Sequence, residues 1–203
     1  DRNVAGRGMN VFFDHEGNLW VATFGQGLWK VPGADQRDPM TIARATVDAG
    51  LLSDELSGFL EDRDGSMWFA TARGLLRLSN NDVTMVAGRE GLTPLVTRAV
   101  VATPDGRMWV GTSDGLFSLS EDAVGEFVGH RETAGGNVSA LHVDRSGQLW
   151  IASEPDVGIF ANGRFHPLPI PRGALLSNVH ALAVDAKLAF RHRFQAGDHP
   201  QRR

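Results

Sequence analysis

The sequence predicts an all-β fold, a β-propeller built from four-stranded antiparallel blades, and three observations predict it. A short pattern, Asp/Thr-x-x-Gly-x-Leu/Met-Trp-apolar-Ala/Gly-Thr/Ser, occurs four times. Its tryptophans, Trp20, Trp68, Trp109 and Trp150, stand 48, 41 and 41 residues apart. Around each copy, apolar runs alternate with glycine turns, and no stretch has convincing helical periodicity. A period near forty with strand-turn-strand character is the mark of blades repeated about an axis.

Each element of the blade follows from local chemistry. The first strand is apolar: Val11–Phe13, Phe59–Glu61, Val100–Ala102 and Leu141–Val143. The Asp-x-x-Gly that follows is turn chemistry, since the carboxylate accepts from nearby backbone N–H groups and glycine supplies positive φ. The Trp-bearing segment is aromatic and β-branched, hence a second strand. A further glycine turn is expected at Gly25/Gly27, Gly74, Gly115 and Gly158. It leads into third strands beginning at Leu28, Leu75, Leu116 and Ile159. A weaker outer strand closes each unit, clearest at Arg164–Leu168, where Pro167 is tolerable because an edge strand can spare an N–H. Each Trp is read as packing between neighbouring blades, burying roughly 150–250 Å².

Blade cores fall near 9–48, 56–90, 97–130 and 138–168, within a repeat region spanning 1–185. The longer first interval comes from Pro32–Pro39, a polar, Pro- and Gly-punctuated insertion. A fifth unit starts at 178 and brings Asp185 into register, but Leu188 and Arg191 stand where Gly and Trp are due. Residues 186–203 form a basic, non-repeat tail. It reads as a premature end, by frame break, truncation or incomplete assembly of the sequence, with a docking tail as the alternative. The expectation is therefore about four blades plus the first strand of a fifth, a partial propeller.

Composition narrows function by exclusion. The 203 residues carry 42% apolar and 22% charged residues, ordinary values for a globular chain. A net charge of -4 argues against nucleic acid as partner. Zero cysteines remove disulfides, thiolate metal sites and cysteine nucleophiles. No apolar run is long enough to span a membrane as a helix, and no leader peptide is visible. The seven histidines show no compact ligand spacing, so neither a metal nor a cofactor is expected. Asp62-Arg-Asp64-Gly65 echoes a calcium loop but lacks its other ligands and reads as a hairpin turn. No nucleophile elbow or phosphate-binding glycine loop is present.

Equivalent positions in successive repeats separate scaffold from recognition. Four residues before each motif Asp/Thr stand Asn10, Gly58, Ala99, Ala140 and Ala181, all but Asn10 very small, as a row nearest the axis must be. One position earlier the side chains vary: Met9, Ser57, Arg98, Ser139 and His180. Two before that are Arg7, Glu55, Val96, Asn137 and Asn178. Both rows sit at the start of the innermost strand, near one mouth of the channel. From them Glu55, Ser57, Arg98, Asn137, Ser139, Asn178 and His180 are the candidate ligand-binding residues. Arg98 suits a carboxylate, while Ser, Asn and His suit hydroxyl-rich molecules. No catalytic residue is assigned.

The repeated motif resembles the two-component regulator propeller repeat, whose consensus runs Asp-x-x-Gly-x-Leu-Trp-Ile-Gly-Thr before a Gly-Leu hairpin. The family's third-strand Tyr is replaced here by Trp29, Leu76, Phe117 and Phe160. The resemblance implies an extracytoplasmic, periplasmic sensor region of a bacterial inner-membrane hybrid histidine kinase, detecting a small molecule or an oligosaccharide. Its partners would be that ligand, the missing blades and downstream signalling domains. Kinase motifs are absent, so phosphotransfer would belong to a parent protein. Two other readings stay open: a propeller enzyme (a lyase or glycan-active protein) using a metal with His180 and Glu55, and a protein-interaction scaffold using blade edges and the Pro32–Pro39 loop.

Overall fold

The computed structural model describes residues 10–23, 25–33, 43–45, 51, 53–79, 82–92, 96–122, 126–133, 136–169, 179 and 181–183. Among these described residues sixteen strands form four separate four-stranded antiparallel sheets. Blade one holds β1 (Asn10–Phe13), β2 (Leu19–Ala22), β3 (Leu28–Val31) and β4 (Ala43–Ala45). Blade two holds β5 (Leu56–Glu61), β6 (Met67–Thr71), β7 (Gly74–Ser79) and β8 (Asp82–Val86). Blade three holds β9 (Thr97–Ala102), β10 (Met108–Thr112), β11 (Gly115–Glu121) and β12 (Phe127–Arg131). Blade four holds β13 (Val138–Val143), β14 (Leu149–Ser153), β15 (Asp156–Ala161) and β16 (Arg164–Pro167). In every sheet the strands lie side by side in chain order. Among the described residues the sole helical element is a 3-10 turn at Gly88–Glu90. The nearly all-β propeller architecture read from the repeat is the one observed.

One hairpin, repeated, builds each blade. The Asp14 Oδ1 atom accepts from the N–H of Glu16 (3.1 Å) and Asn18 (2.8 Å), and Oδ2 accepts from the Trp20 indole at 2.7 Å. Asp62 does the same for Asp64 N (3.0 Å), Ser66 N (2.8 Å) and the Trp68 indole (2.7 Å). Asp144 serves Ser146 N (2.9 Å), Gln148 N (3.0 Å) and Trp150 (2.9 Å). In blade three Thr103 takes this place, and its hydroxyl accepts from Trp109 at a longer 3.2 Å. The turn glycines Gly17, Gly65, Gly106 and Gly147 all have φ between 77° and 87°. That is the left-handed region, where a side chain would be strained.

The indoles then bury themselves against the next blade. Trp20 meets Phe69 at 5.7 Å between centroids, Trp68 meets Phe127 edge-on at 4.9 Å, and Trp109 meets Phe160 at 5.3 Å. All four motif tryptophans are buried. At about 25 cal/mol per Å² of apolar area, each contributes several kcal/mol to the stack. Trp thus both packs and donates, and the second role was not foreseen from sequence.

The inner strands β5, β9 and β13 lie against one another around the hub. Their closeness explains the small row. A Cβ added at Gly58 would stand 3.2 Å from Arg98 O and 3.4 Å from Ala99 Cα.

Blade four corrects one expectation. Gly158 is not a turn glycine: Glu154-Pro155 makes the turn, and Gly158 lies within β15 opposite Ile151 and Pro167. It therefore occupies the place of Trp29, Leu76 and Phe117, which pair with Val21, Phe69 and Val110. Phe160 is the counterpart of Val31, Leu78 and Leu119 instead. Of the fifth repeat, Val179 and residues 181–183 are described, without regular structure. Residues 34–39 of the insertion and the tail 186–203 lie outside the described residues.

Burial by itself would raise the Asp144 carboxyl, but bonds from Ser146, Trp150 and Gln148 outweigh it and hold its pKa below the ordinary value. Asp14 is lowered in the same way, with burial opposed by Trp20, Asn18 and Lys30. Their contribution to stability is complete above the unfolded value of about 3.9 and is lost as pH falls through the lower folded value. Asp144→Ala should cost about 2–3 kcal/mol in urea unfolding at neutral pH. Asp144→Asn should retain part of that and flatten the loss of stability below about pH 4.

Candidate functional site

The forecast recognition row has a structural signature: each described member is the extra residue of a β-bulge. In blade two Leu56 pairs with Thr71 and Gly58 with Ala70, which leaves Ser57 unpaired. In blade three Thr97 pairs with Thr112 and Ala99 with Gly111, leaving Arg98. In blade four Val138 pairs with Ser153 and Ala140 with Ala152, leaving Ser139. A bulge bends its strand and re-aims the side chain it carries. Three bulges at one repeat position, on adjacent inner strands, bring Ser57, Arg98 and Ser139 to the same end of the hub.

Their partners differ. Ser57 is engaged in the scaffold: its hydroxyl donates to Thr97 O at 2.8 Å, and its carbonyl accepts from Asn10 Nδ2 at 2.8 Å. By contrast, Arg98 Nε and Ser139 Oγ are buried atoms without a hydrogen-bond partner. Asn137 donates to Glu154 Oε2 at 3.2 Å, while its Oδ1 is buried and unpartnered. Glu55 is exposed, its backbone tied to Ser53 and Ala72. Asn178 and His180 lie outside the described residues. A buried polar atom left unpaired costs about 1–3 kcal/mol, so such atoms ask for an explanation.

Thr97, which sequence reasoning passed over, welds blades two and three at this end. Its hydroxyl accepts from Thr71 N at 2.8 Å and lies 2.7 Å from Thr71 O and 2.9 Å from Gly74 O, to one of which it donates. The counterparts of Thr97 are Leu56 and Val138, so no recurrence in the sequence marked it.

At the opposite, hairpin end, grooves run between blades. One of about 410 Å³ lies between blades one and two, and one of about 530 Å³ between blades two and three. Cations cover the indoles there: Lys30 Nζ is 4.8 Å from the Trp20 ring centre, and the Arg77 guanidinium is 5.4 Å from that of Trp68. In blades one and two the second hairpin residue reaches the next blade. His15 N donates to Glu61 Oε2 at 3.0 Å and the His15 ring bonds the same carboxylate. Arg63 donates to Pro104 O. Among the described residues no group of three His, Asp or Glu side chains converges as metal ligands would.

The Glu61 hydrogen bond and its charge raise the pKa of His15. A raised histidine stabilises fully below its unfolded value of about 6.5, and the gain disappears as pH rises through the folded value. Thermal midpoints of the parent and Glu61→Gln should therefore differ most near pH 6 and converge above neutrality. A constant gap across that range would refute the clasp.

No curated protein matches this chain in sequence. Solved structures do. An extracellular domain assigned to a hybrid two-component system of B. thetaiotaomicron superposes with a TM-score of 0.59 at 22% identity, over 70% of this chain and 20% of that one. A second such domain from the same organism gives 0.64 at 16%, over 87% of this chain and 24% of that one. Virginiamycin B lyase from Staphylococcus aureus gives 0.66 at 12%, over 89% and 61%. The chain thus spans less than two thirds of each, and at these identities the likeness is one of fold. Sequence carries the assignment further. Residues 50–73 and 91–114, which hold the first hairpins of blades two and three, match the family described as Two component regulator propeller. These two segments are thus similar to two-component regulator propeller repeats.

Proposed function

We propose that this chain is a ligand-sensing segment of a bacterial two-component regulator, non-catalytic in itself and displayed on the extracytoplasmic, periplasmic side of the membrane. Its recognition end comprises Glu55, Ser57, Arg98, Asn137 and Ser139, joined by Asn178 and His180 of the next repeat. The observation that carries this reading is the pair Arg98 Nε and Ser139 Oγ, unpartnered and buried on bulges of neighbouring inner strands. Bound ligand oxygens would relieve that deficit after a small side-chain shift. The family match and the sensor domains of like fold support the same reading.

A guanidinium fork, a hydroxyl and an amide suit a small hydroxylated molecule or an oligosaccharide, with an acidic group favoured at Arg98. A neutral sugar would rely on Asn137 and Ser139.

A thermal-shift screen of mono- and oligosaccharides and hydroxy acids tests the proposal. A compound that raises the melting temperature should bind at least about tenfold more weakly to Arg98→Ala and to Ser139→Ala, the weight of one lost hydrogen bond to a desolvated group. Binding that ignores both substitutions and vanishes in Arg77→Ala would move the site to the hairpin grooves and sink the proposal.

A further inference from the structure

Asn137 is held twice by one residue. The Glu154 N–H donates to Asn137 O at 3.2 Å, and Asn137 Nδ2 donates back to Glu154 Oε2, also at 3.2 Å. The backbone half of this pair recurs along the array: Ala72 N donates to Glu55 O at 3.3 Å, and Ser113 N to Val96 O at 3.0 Å. In those two blades Ala72 and Val96 have no polar side-chain atom, so the second bond is peculiar to blade four. Gly136 makes the approach possible. Its φ is 89°, and a Cβ there would stand 2.9 Å from Ser153 Oγ. Glu154 itself is half-buried, in the turn between β14 and β15.

An ionised carboxylate accepts and cannot donate, so it decides which end of the Asn137 amide faces it. The nitrogen turns to Glu154, and the atom left buried without a partner is the carbonyl oxygen Oδ1. The unpartnered atoms at this end of the hub thus differ in what they require. Arg98 Nε donates only, Asn137 Oδ1 accepts only, and Ser139 Oγ does either.

We infer that Glu154 is a positioning residue that sets specificity: by fixing the Asn137 amide it makes this end of the hub select acids that carry a hydroxyl, whether hydroxy acids or uronic sugars, over acids without one and over neutral sugars. The inference rests on the reading of this end as the ligand site. A carboxylate answers Arg98 with charge as well as acceptor oxygens. A neighbouring hydroxyl donates to Asn137 Oδ1, and Ser139 takes whichever role is left. A plain acid leaves the amide oxygen buried and unpaired, a loss that discriminates more sharply than a misfit of apolar contact. A neutral sugar meets Asn137 and Ser139 but forgoes the charge-assisted bond at Arg98. Glu154→Gln keeps the backbone bond and the shape while removing the constraint. A glutamine amide both donates and accepts, so the Asn137 amide becomes free to turn its nitrogen toward the ligand.

Calorimetric titration of the 203-residue chain with matched acids tests this: glucuronate against cyclohexanecarboxylate, and tartrate against succinate, with glucose as the neutral control. At least one hydroxylated acid should bind about tenfold more tightly than its hydroxyl-free partner and than glucose. Glu154→Gln should shrink the first ratio to about threefold or less, by weakening the hydroxylated acid more than its partner. Asn137→Leu, which removes the oxygen outright, should also abolish the preference, and it decides the matter if the glutamine variant does not fold. A merely structural role for Glu154 would weaken both acids alike, and that result would overturn the inference. Equal affinity of the matched acids for the parent, both weakened by Arg98→Ala, would overturn it while leaving the ligand site standing. Absence of binding by every acid would overturn it too, and the broader thermal-shift screen then decides whether a ligand site remains.

Discussion

A carboxylate that closes its own hairpin and holds an indole six residues later is the interaction on which this molecule depends. With one oxygen it gathers the turn N–H groups, and with the other it fixes the tryptophan ring at the blade edge. The ring is then presented, already oriented, to an aromatic or aliphatic side chain of the next blade. A donor that would be left unpaired on burial is satisfied locally, so the full apolar area of the indole can serve the stack. Blade three shows how far the arrangement can bend. There the Thr103 hydroxyl substitutes for the carboxylate, at a longer distance, and Asp105 supplies the negative charge beside it.

The two ends of the blades are held by different means. At the hairpin end, side chains of varied type cross from one blade to the next, over grooves floored by tryptophan. At the other end, the Ser57 hydroxyl bonds the next inner strand at Thr97 O, the Thr97 hydroxyl bonds the backbone of Thr71 and Gly74 in β6 and β7, and a bulge displaces one residue from the ladder in each of blades two, three and four. Rigid pairing thus surrounds a small set of side chains exempt from it. That combination, fixed backbone with Arg98 Nε and Ser139 Oγ uncommitted to the scaffold, suits recognition better than a loop would.

Much of this could be read in the amino acids. The spacing of four tryptophans and their turn glycines yields blade number, strand order and the tight hub at Gly58. The bulged row was legible as a position, because Ser57, Arg98 and Ser139 fall at one offset from the motif while differing in character. That they sit on bulges was not legible, since a register shift depends on both strands of a pair. The Gly158 error has the same origin: Glu154-Pro155 takes over the turn in blade four, and counting from glycine then slips by a place. The bonds of His15 to Glu61 and of Arg63 to Pro104 O left no trace, because the second hairpin position runs His, Arg, Pro, Arg and no pattern ties it to its acceptor. Thr97 escaped notice for a similar reason.

The variable hairpin position carries a wider consequence. The repeated motif stabilises each unit from within, whereas the residue that grips the following unit is His15 at the first junction and Arg63 at the second. Units are therefore alike as modules but matched as neighbours. Gene duplication can lengthen such an array readily, yet shuffling its members would set mismatched side chains against one another. Neighbour matching at these two junctions therefore rests on exposed residues outside the signature by which the units are recognised.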